Sequence, residues 1–209
     1  MKVWSNSFSD KDWMPPRLAF CSIDPKNKVA MSDNRNPHLA WSGVPSGAKS
    51  LAVVCHDYNV PSKGDDVNQE GRSVPADLPR VDFYHWLLID LPVTRTEIAE
   101  GEFSSGITAR GKSGPGSIDG SRQGINDYTP WFASDAEMSG KYFGYDGPCP
   151  PWNDTIVHNY VFTVYALDVA RLPIEGDFTG PELLEAMKGH ILDQANITGR
   201  YTLTPSLAK

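Results

Sequence analysis

The chain has 209 residues, with 19 Lys and Arg against 26 Asp and Glu, for a formal net charge of −7. That length suits one domain around a single sizeable core, and 40% hydrophobic with 11% aromatic residues excludes intrinsic disorder. The acidic balance excludes a sequence-independent grip on nucleic acid or on an anionic membrane.

Behind Met1 and Lys2, residues 3–7 supply neither an apolar core nor a small-residue cleavage site for secretion, so the expected location is cytoplasmic. The longest aliphatic run, 51–55, is far shorter than the roughly 20 residues that cross a bilayer. Cys21, Cys55 and Cys149 are odd in number and follow no C-x-x-C spacing, so three reduced thiols are expected. Strands are predicted over 50–55, 83–91 and 157–167, where short apolar runs lie between Gly- and Pro-rich stretches.

Between the first two of these strands, residues 63–80 are polar and punctuated by Gly71, Pro75 and Pro79. A loop of that length calls for a function of its own. Residues 101–146 form a second irregular region, which Tyr128, Trp131, Phe132, Tyr142, Phe143 and Tyr145 are expected to anchor to the sheet. A helix is predicted over 181–194. Leu183, Leu184, Met187, Ile191 and Leu192 share one face there, Thr179 and Glu182 have capping-box spacing, and Pro181 suits the first turn. A final strand is predicted over 196–204.

Residues 106–113, from Gly106 to Lys112 and Ser113, match the phosphate-loop pattern G-x-x-x-x-G-K-[ST]. That mechanism needs a buried strand leading in and a helix leading out, whereas here Ser104 and Ser105 precede the motif and Gly114, Pro115 and Gly116 follow it. It reads as a Gly/Ser loop. No nucleophile elbow or dinucleotide fingerprint occurs, and Asp57, His85, His158 and Cys149 lack zinc-ligand spacing. Neither a metal nor a cofactor is expected.

Asp57 follows the first strand, beside a turn. His85 alternates in phase with Phe83, Leu87 and Ile89, and His158 with Tyr160, Phe162 and Val164, so both imidazoles are expected to face apolar surroundings. Just before the His158 strand, the segment Tyr145-Asp146-Gly147-Pro148-Cys149-Pro150-Pro151 is stiffened by three prolines in four residues. Between Gly147 and Pro151 only Gly147 and Cys149 can donate backbone N–H groups.

These blocks, with Asn36-Pro37-His38-Leu39-Ala40-Trp41-Ser42-Gly43-Val44-Pro45, Asp57-x-Asn59-x-Pro61, His85-Trp86, Asn126-Asp127-Tyr128, His158-Asn159-Tyr160 and Tyr165-Ala166-Leu167-Asp168, resemble the phosphatidylethanolamine-binding protein family, in its bacterial Raf kinase inhibitor-like branch. The resemblance runs from about Pro15 to the final strand. It implies one mainly β domain over residues 1–209, of Greek-key β-sandwich type, with a large central antiparallel sheet, a smaller sheet and few peripheral helices. It also implies a pocket for phosphate-type anions or phospholipid head groups, walled by Asp57, His85, Gly147, Pro148, Pro151, His158 and Tyr160. The sequence departs from the family pattern at Tyr58 and Asn59, where a second acid is common nearby, and at Asn159, where Arg is common.

The function expected is non-enzymatic binding of a small phosphorylated or zwitterionic ligand, with modulation of a protein partner and a homodimer as further expectations. Two alternatives are a hydrolase-like enzyme using His and Asp57, and a protein-interaction module acting through the 63–80 loop. No catalytic residue is assigned.

Overall fold

Residues 51–55 carry no side chain that prefers water, which suits a strand with a core on both of its faces. The computed structural model, which describes residues 1–209, places this run near the centre of its largest sheet. In chain order the strands are β1 (Lys2–Trp4), β2 (Asp12–Trp13), β3 (Cys21–Asp24), β4 (Lys28–Met31), β5 (Leu39–Ser42), β6 (Ser50–Pro61), β7 (Arg80–Leu91), β8 (Glu97–Ile98), β9 (Arg122–Gln123), β10 (His158–Leu167) and β11 (Ile191–Tyr201). The helices are α1 (Tyr128–Trp131) and α2 (Gly180–Met187). The large sheet has the order β2-β11-β10-β6-β7-β9, with β2 parallel to β11 and every other pair antiparallel. A three-stranded sheet, β1-β5-β8, and a β3-β4 hairpin complete the mainly β architecture.

Alternation along β6 divides the interior in two. Leu51, Val53 and Cys55 face the main core with Trp86, Tyr160, Phe162 and Val164. Ala52 and Val54 face a second cluster with Leu87, Ile89, Phe178, Leu183 and Met187, which α2 covers. Asp57 continues the phase of Leu51, Val53 and Cys55 and is buried. It lies inside a strand that runs on to Pro61, not at a strand end beside a turn as the sequence suggested.

The phase expected for His85 is broken by a β-bulge. Cys55 pairs with Trp86 and His56 with Tyr84, so His85 is the extra residue on β7. Leu87 and Ile89 therefore face the α2 side, while His85 packs against Phe83 and Tyr160 with ring centroids 4.8 and 5.1 Å away. Re-aiming a side chain in this way is a common role of bulges beside functional sites. His85 and His158 also do not lie on adjacent strands, because β6 runs between β7 and β10.

The capping box is formed, with the Thr179 N–H donating to Glu182 at 2.8 Å. The helix, however, ends at Met187 instead of 194. Gly189 adopts φ +79°, the chain reverses, and β11 begins at Ile191 to pair with β10. Ile191 and Leu192, which seemed to extend the helical stripe, belong to that strand and are exposed. The apolar period alone could not separate two short elements joined by a tight turn.

The expectation of three reduced thiols is overturned: Cys21 and Cys149 form a disulfide, their Cα atoms 4.8 Å apart. The proline-rich segment docks on the start of β3, where the N–H groups of Phe20 and Cys21 both donate to the Pro148 carbonyl, and this brings together cysteines 128 positions apart. Cys55 is the buried third cysteine that makes the count odd. In denaturant without reductant, thiol titration should find one free thiol, and three after reduction. Replacing both Cys21 and Cys149 by Ser should lower stability to urea by about 2–5 kcal/mol, given the long loop the bridge closes.

Candidate functional site

Against the main core, the inner face of β6, β7 and β10 opens into a cavity of about 240 Å³. Its walls are largely apolar and aromatic: Phe20, Phe83, Tyr128 and Phe132 line it, with Met31 and Trp131, 62% and 53% exposed, at the mouth. Asp57, His85, His158 and Tyr160 are the polar groups contributed by the sheet, and Cys149, Pro150 and Pro151 contribute the rim. Of the residues expected in the wall, Gly147 and Pro148 lie behind it. The Gly147 N–H donates to the Asn34 side chain at 2.8 Å, and its carbonyl accepts from the Tyr128 hydroxyl. Glycine is needed there because a Cβ would stand 2.1 Å from the Leu18 carbonyl oxygen. The Gly147 amide is therefore committed to the fold, whereas the Cys149 N–H has no partner in the chain.

His158 is held between two carboxylates. Its Nδ1 lies 2.6 Å from Asp57 Oδ2 and its Nε2 3.0 Å from Asp154 Oδ2. Burial opposes its charge, but the Asp57 charge and the hydrogen bonds to both acids outweigh this and lift its pKa to about 9. It is an imidazolium with both N–H groups in use, so neither is free for a ligand. Asp154 is in turn gripped by Arg80 through both carboxylate oxygens, at 2.6 and 3.1 Å. Neither Asp154 nor Arg80 stood out in the sequence. The signal was present in the i, i+4 spacing of Asp154 to His158 and in the position of Arg80 at the end of the long loop.

His85 is the opposite case. Its Nδ1 lies 2.7 Å from the Asp146 carbonyl oxygen, which can only accept, so Nδ1 carries the proton. Burial drives its pKa down to about 4 against the pull of Asp57. The ring is neutral, and its Nε2 lone pair has no partner in the chain. Tyr160, paired across the strands with Asp57, has its hydroxyl pushed well above the ordinary phenol range, chiefly by burial and then by the charge of Asp57, toward which the hydroxyl also donates.

Asp146, whose backbone fixes His85, is a buried hub. It accepts from Asn34 at 2.7 Å, Asn126 at 2.8 Å and Lys112 Nζ at 2.6 Å. Burial raises its pKa, and Lys112 opposes the rise. Lys112 is the lysine of the phosphate-loop look-alike. No strand enters that motif and no helix leaves it, and its lysine neutralises a buried acid.

The 63–80 loop is part of the site. Lys63, Gly64, Val67 and Asn68 line the cavity. Asn153 clasps the loop, its amide donating to the carbonyls of Asp66, Gln69 and Arg72 and its oxygen accepting from the Asn68 N–H. The two departures from the family pattern meet one another: Asn159 donates to Asn59 through its backbone N–H at 3.0 Å and its side chain at 2.9 Å.

Matching the chain against family models finds the phosphatidylethanolamine-binding protein family over residues 4–202. The chain belongs to the phosphatidylethanolamine-binding protein family. Among relatives, it is 32% identical over 201 residues to a UPF0098 protein of Methanothermobacter thermautotrophicus, covering 96% of this chain and 98% of that one. It is 31% identical over 202 residues to the UPF0098 protein YbhB of Escherichia coli, covering 97% and 100%. The crystal structure of a phosphatidylethanolamine-binding protein homolog from Chlamydia trachomatis superposes with TM-score 0.64 at 28% identity, covering 96% of this chain and 95% of that one. E. coli YbcL superposes with TM-score 0.67 at 25% identity, covering 96% and 97%. Phosphatidylethanolamine-binding protein membership accounts for the mainly β fold and supports binding over catalysis. No helix is long and apolar enough to cross a membrane.

The two histidines should shape stability in opposite directions. His85 binds its proton less readily folded than unfolded, so stability rises with pH from about 4 to ~6.5. His158 binds its proton more readily folded, so its contribution is complete below ~6.5 and is lost as pH rises through about 9. Urea titrations across pH 4–10 should therefore give a maximum near ~6.5. The upper limb should flatten in His158→Gln and the lower limb in His85→Gln.

Proposed function

We propose that the protein binds a small phosphorylated or zwitterionic ligand in this cavity, without turning it over, the phosphate group resting between the Cys149 N–H, the Tyr160 hydroxyl and His85. The observation that carries this reading is the unpartnered Cys149 N–H on a rim otherwise made of prolines, which have no N–H to offer. A fixed backbone donor facing a polar floor is the arrangement that holds an anion with little reorganisation. Lys63 at the mouth, which has no ion-pair partner, suits the outer oxygens of such a group. The exposed rings around it suit an apolar substituent.

The hydrolase alternative has less support, since His85, with its pKa driven down to about 4, is a weak base. His158 cannot take a proton with both nitrogens already donating, Cys149 is tied in a disulfide, and the Cys55 thiol is buried with its pKa pushed well up by burial. Modulation of a protein partner would then follow from ligand occupancy at the loop-lined mouth, and the family's regulated partners do not transfer to this chain.

Titration with phosphoethanolamine, followed by amide NMR and calorimetry, should shift the Cys149 N–H resonance more than that of Gly147. Tyr160→Phe should weaken binding about two- to tenfold, the worth of one hydrogen bond. An unmoved Cys149 resonance together with unchanged affinity in Tyr160→Phe would remove the basis for this reading.

A further inference from the structure

The outer face of the large sheet, turned away from the cavity, carries a second set of groups that the chain leaves unused. On β6, His56 and Tyr58 alternate with Asp57 and so lie on the side that α2 partly covers. His56 pairs across the strands with Tyr84, and its ring centroid is 6.0 Å from that of Tyr84 and 6.4 Å from that of the exposed Tyr58. Tyr84 is only 8% exposed and is fixed in place by α2, where a Cβ on Gly180 would stand 2.3 Å from its ring. Its hydroxyl nevertheless has no hydrogen-bond partner in the chain, and it feels the charges of Asp82 and Asp127. A phenol withdrawn from water and left without a partner marks a contact that something else completes.

The two acids are unmatched as well. Asp127 is half-buried beside β7, where its N–H donates to the Tyr84 carbonyl and its Oδ2 accepts from the Tyr84 N–H at 2.7 Å. Other acids withdrawn from water in this protein meet a cation: Asp154 has Arg80, Asp146 has Lys112 and Asp90 has Arg122. Asp127 has no such partner. Burial raises its pKa, the Tyr84 N–H opposes the rise, and the charge it feels is that of a second carboxylate, Asp82.

Two uncompensated carboxylates beside aromatic rings call for a cation. No group of three His, Cys, Asp or Glu side chains could hold a metal ion, so the cation has to span a wider gap and bring its own donors. A guanidinium does both: it is planar, lies flat on aromatic rings, and directs five N–H groups to acceptors at separate edges. We propose that this face, separate from the cavity, binds a guanidinium group, stacked on Tyr58 and His56, with its N–H groups shared among Asp127, Asp82 and the Tyr84 hydroxyl oxygen. The net charge of −7 draws cations toward it. A free alkylguanidine and the arginine of a peptide both present this group.

The test is an NMR titration of the intact chain at constant ionic strength with methylguanidinium, methylammonium and N-acetyl-arginine amide. Methylguanidinium should shift the Tyr84 N–H, which rests on Asp127, and the Tyr58 ring in a saturable way, and bind at least about threefold more tightly than methylammonium. Asp127→Asn keeps an oxygen for the Tyr84 N–H and should weaken binding at least about tenfold. Asp82→Asn, at an exposed position where folding is not at stake, should weaken it about two- to fivefold. Tyr58→Ala should cost about two- to fivefold while Tyr58→Phe, which keeps the ring, stays near wild type. N-acetyl-arginine amide binding within about threefold of methylguanidinium identifies a peptide arginine as the source, and its exclusion identifies a free alkylguanidine; either result supports the site. Methylammonium binding as tightly as methylguanidinium would overturn the guanidinium assignment. Shifts that do not saturate, or that persist unchanged in Asp82→Asn and Tyr58→Ala, would overturn the site itself.

Discussion

The site is built around one buried file of alternating charges, Arg80, Asp154, His158 and Asp57, with successive contacts of 2.6, 3.0 and 2.6 Å. Side chains so far removed from water can stay charged only if each is paired, and removing one member of such a pair costs about 3–5 kcal/mol. The file therefore acts as a constraint on chain path. It joins the start of β7, the turn before β10, β10 itself and the middle of β6. The long loop must return to Arg80 at the place where Asp154 waits, and Val74 on that loop forms a bridge to Asp154 as well. The imidazolium of His158 is thus a structural cation that lets Asp57 be buried at the cavity floor.

A second buried assembly controls the other wall. Asp146 gathers Asn34, Asn126 and Lys112 with its carboxylate and fixes His85 with its carbonyl, while the next residues are tied to Asn34, Tyr128, Phe20 and Cys21. Nearly every polar group of the rim is consumed by these contacts. What is left over is one amide at Cys149 and one imidazole nitrogen at His85, beside a Tyr160 hydroxyl that leans on Asp57. The binding proposed here rests on the hydrogen bonds that the fold leaves unmade.

Much of this was legible in the sequence, and the failures have physical causes. The central strands could be read because their apolar runs are buried on both faces, and the family blocks located Asp57, His85, His158 and Tyr160 together. The bulge at His85 was not legible, since inserting one residue changes facing without changing composition. Long-range pairing was equally hidden: the Cys21–Cys149 bridge spans 128 positions, and Arg80 meets Asp154 across 74. The phosphate-loop look-alike could be refused from its flanking residues, yet nothing in them revealed that Lys112 turns inward to Asp146. Gly147 and Cys149 looked equivalent as donors, and only the packing of Asn34 behind the rim separates them.

The account stands on the protonation states of two histidines within one cavity, one cationic with both nitrogens engaged and one neutral with a single bare nitrogen. Nitrogen-15 NMR of the imidazole side chains in the ligand-free protein at pH 7 reads these states directly. The expected spectrum has both His158 nitrogens at protonated shifts, His85 Nδ1 protonated and His85 Nε2 at the shift of an unprotonated acceptor. A neutral His158, or a His85 protonated at both nitrogens, would contradict it.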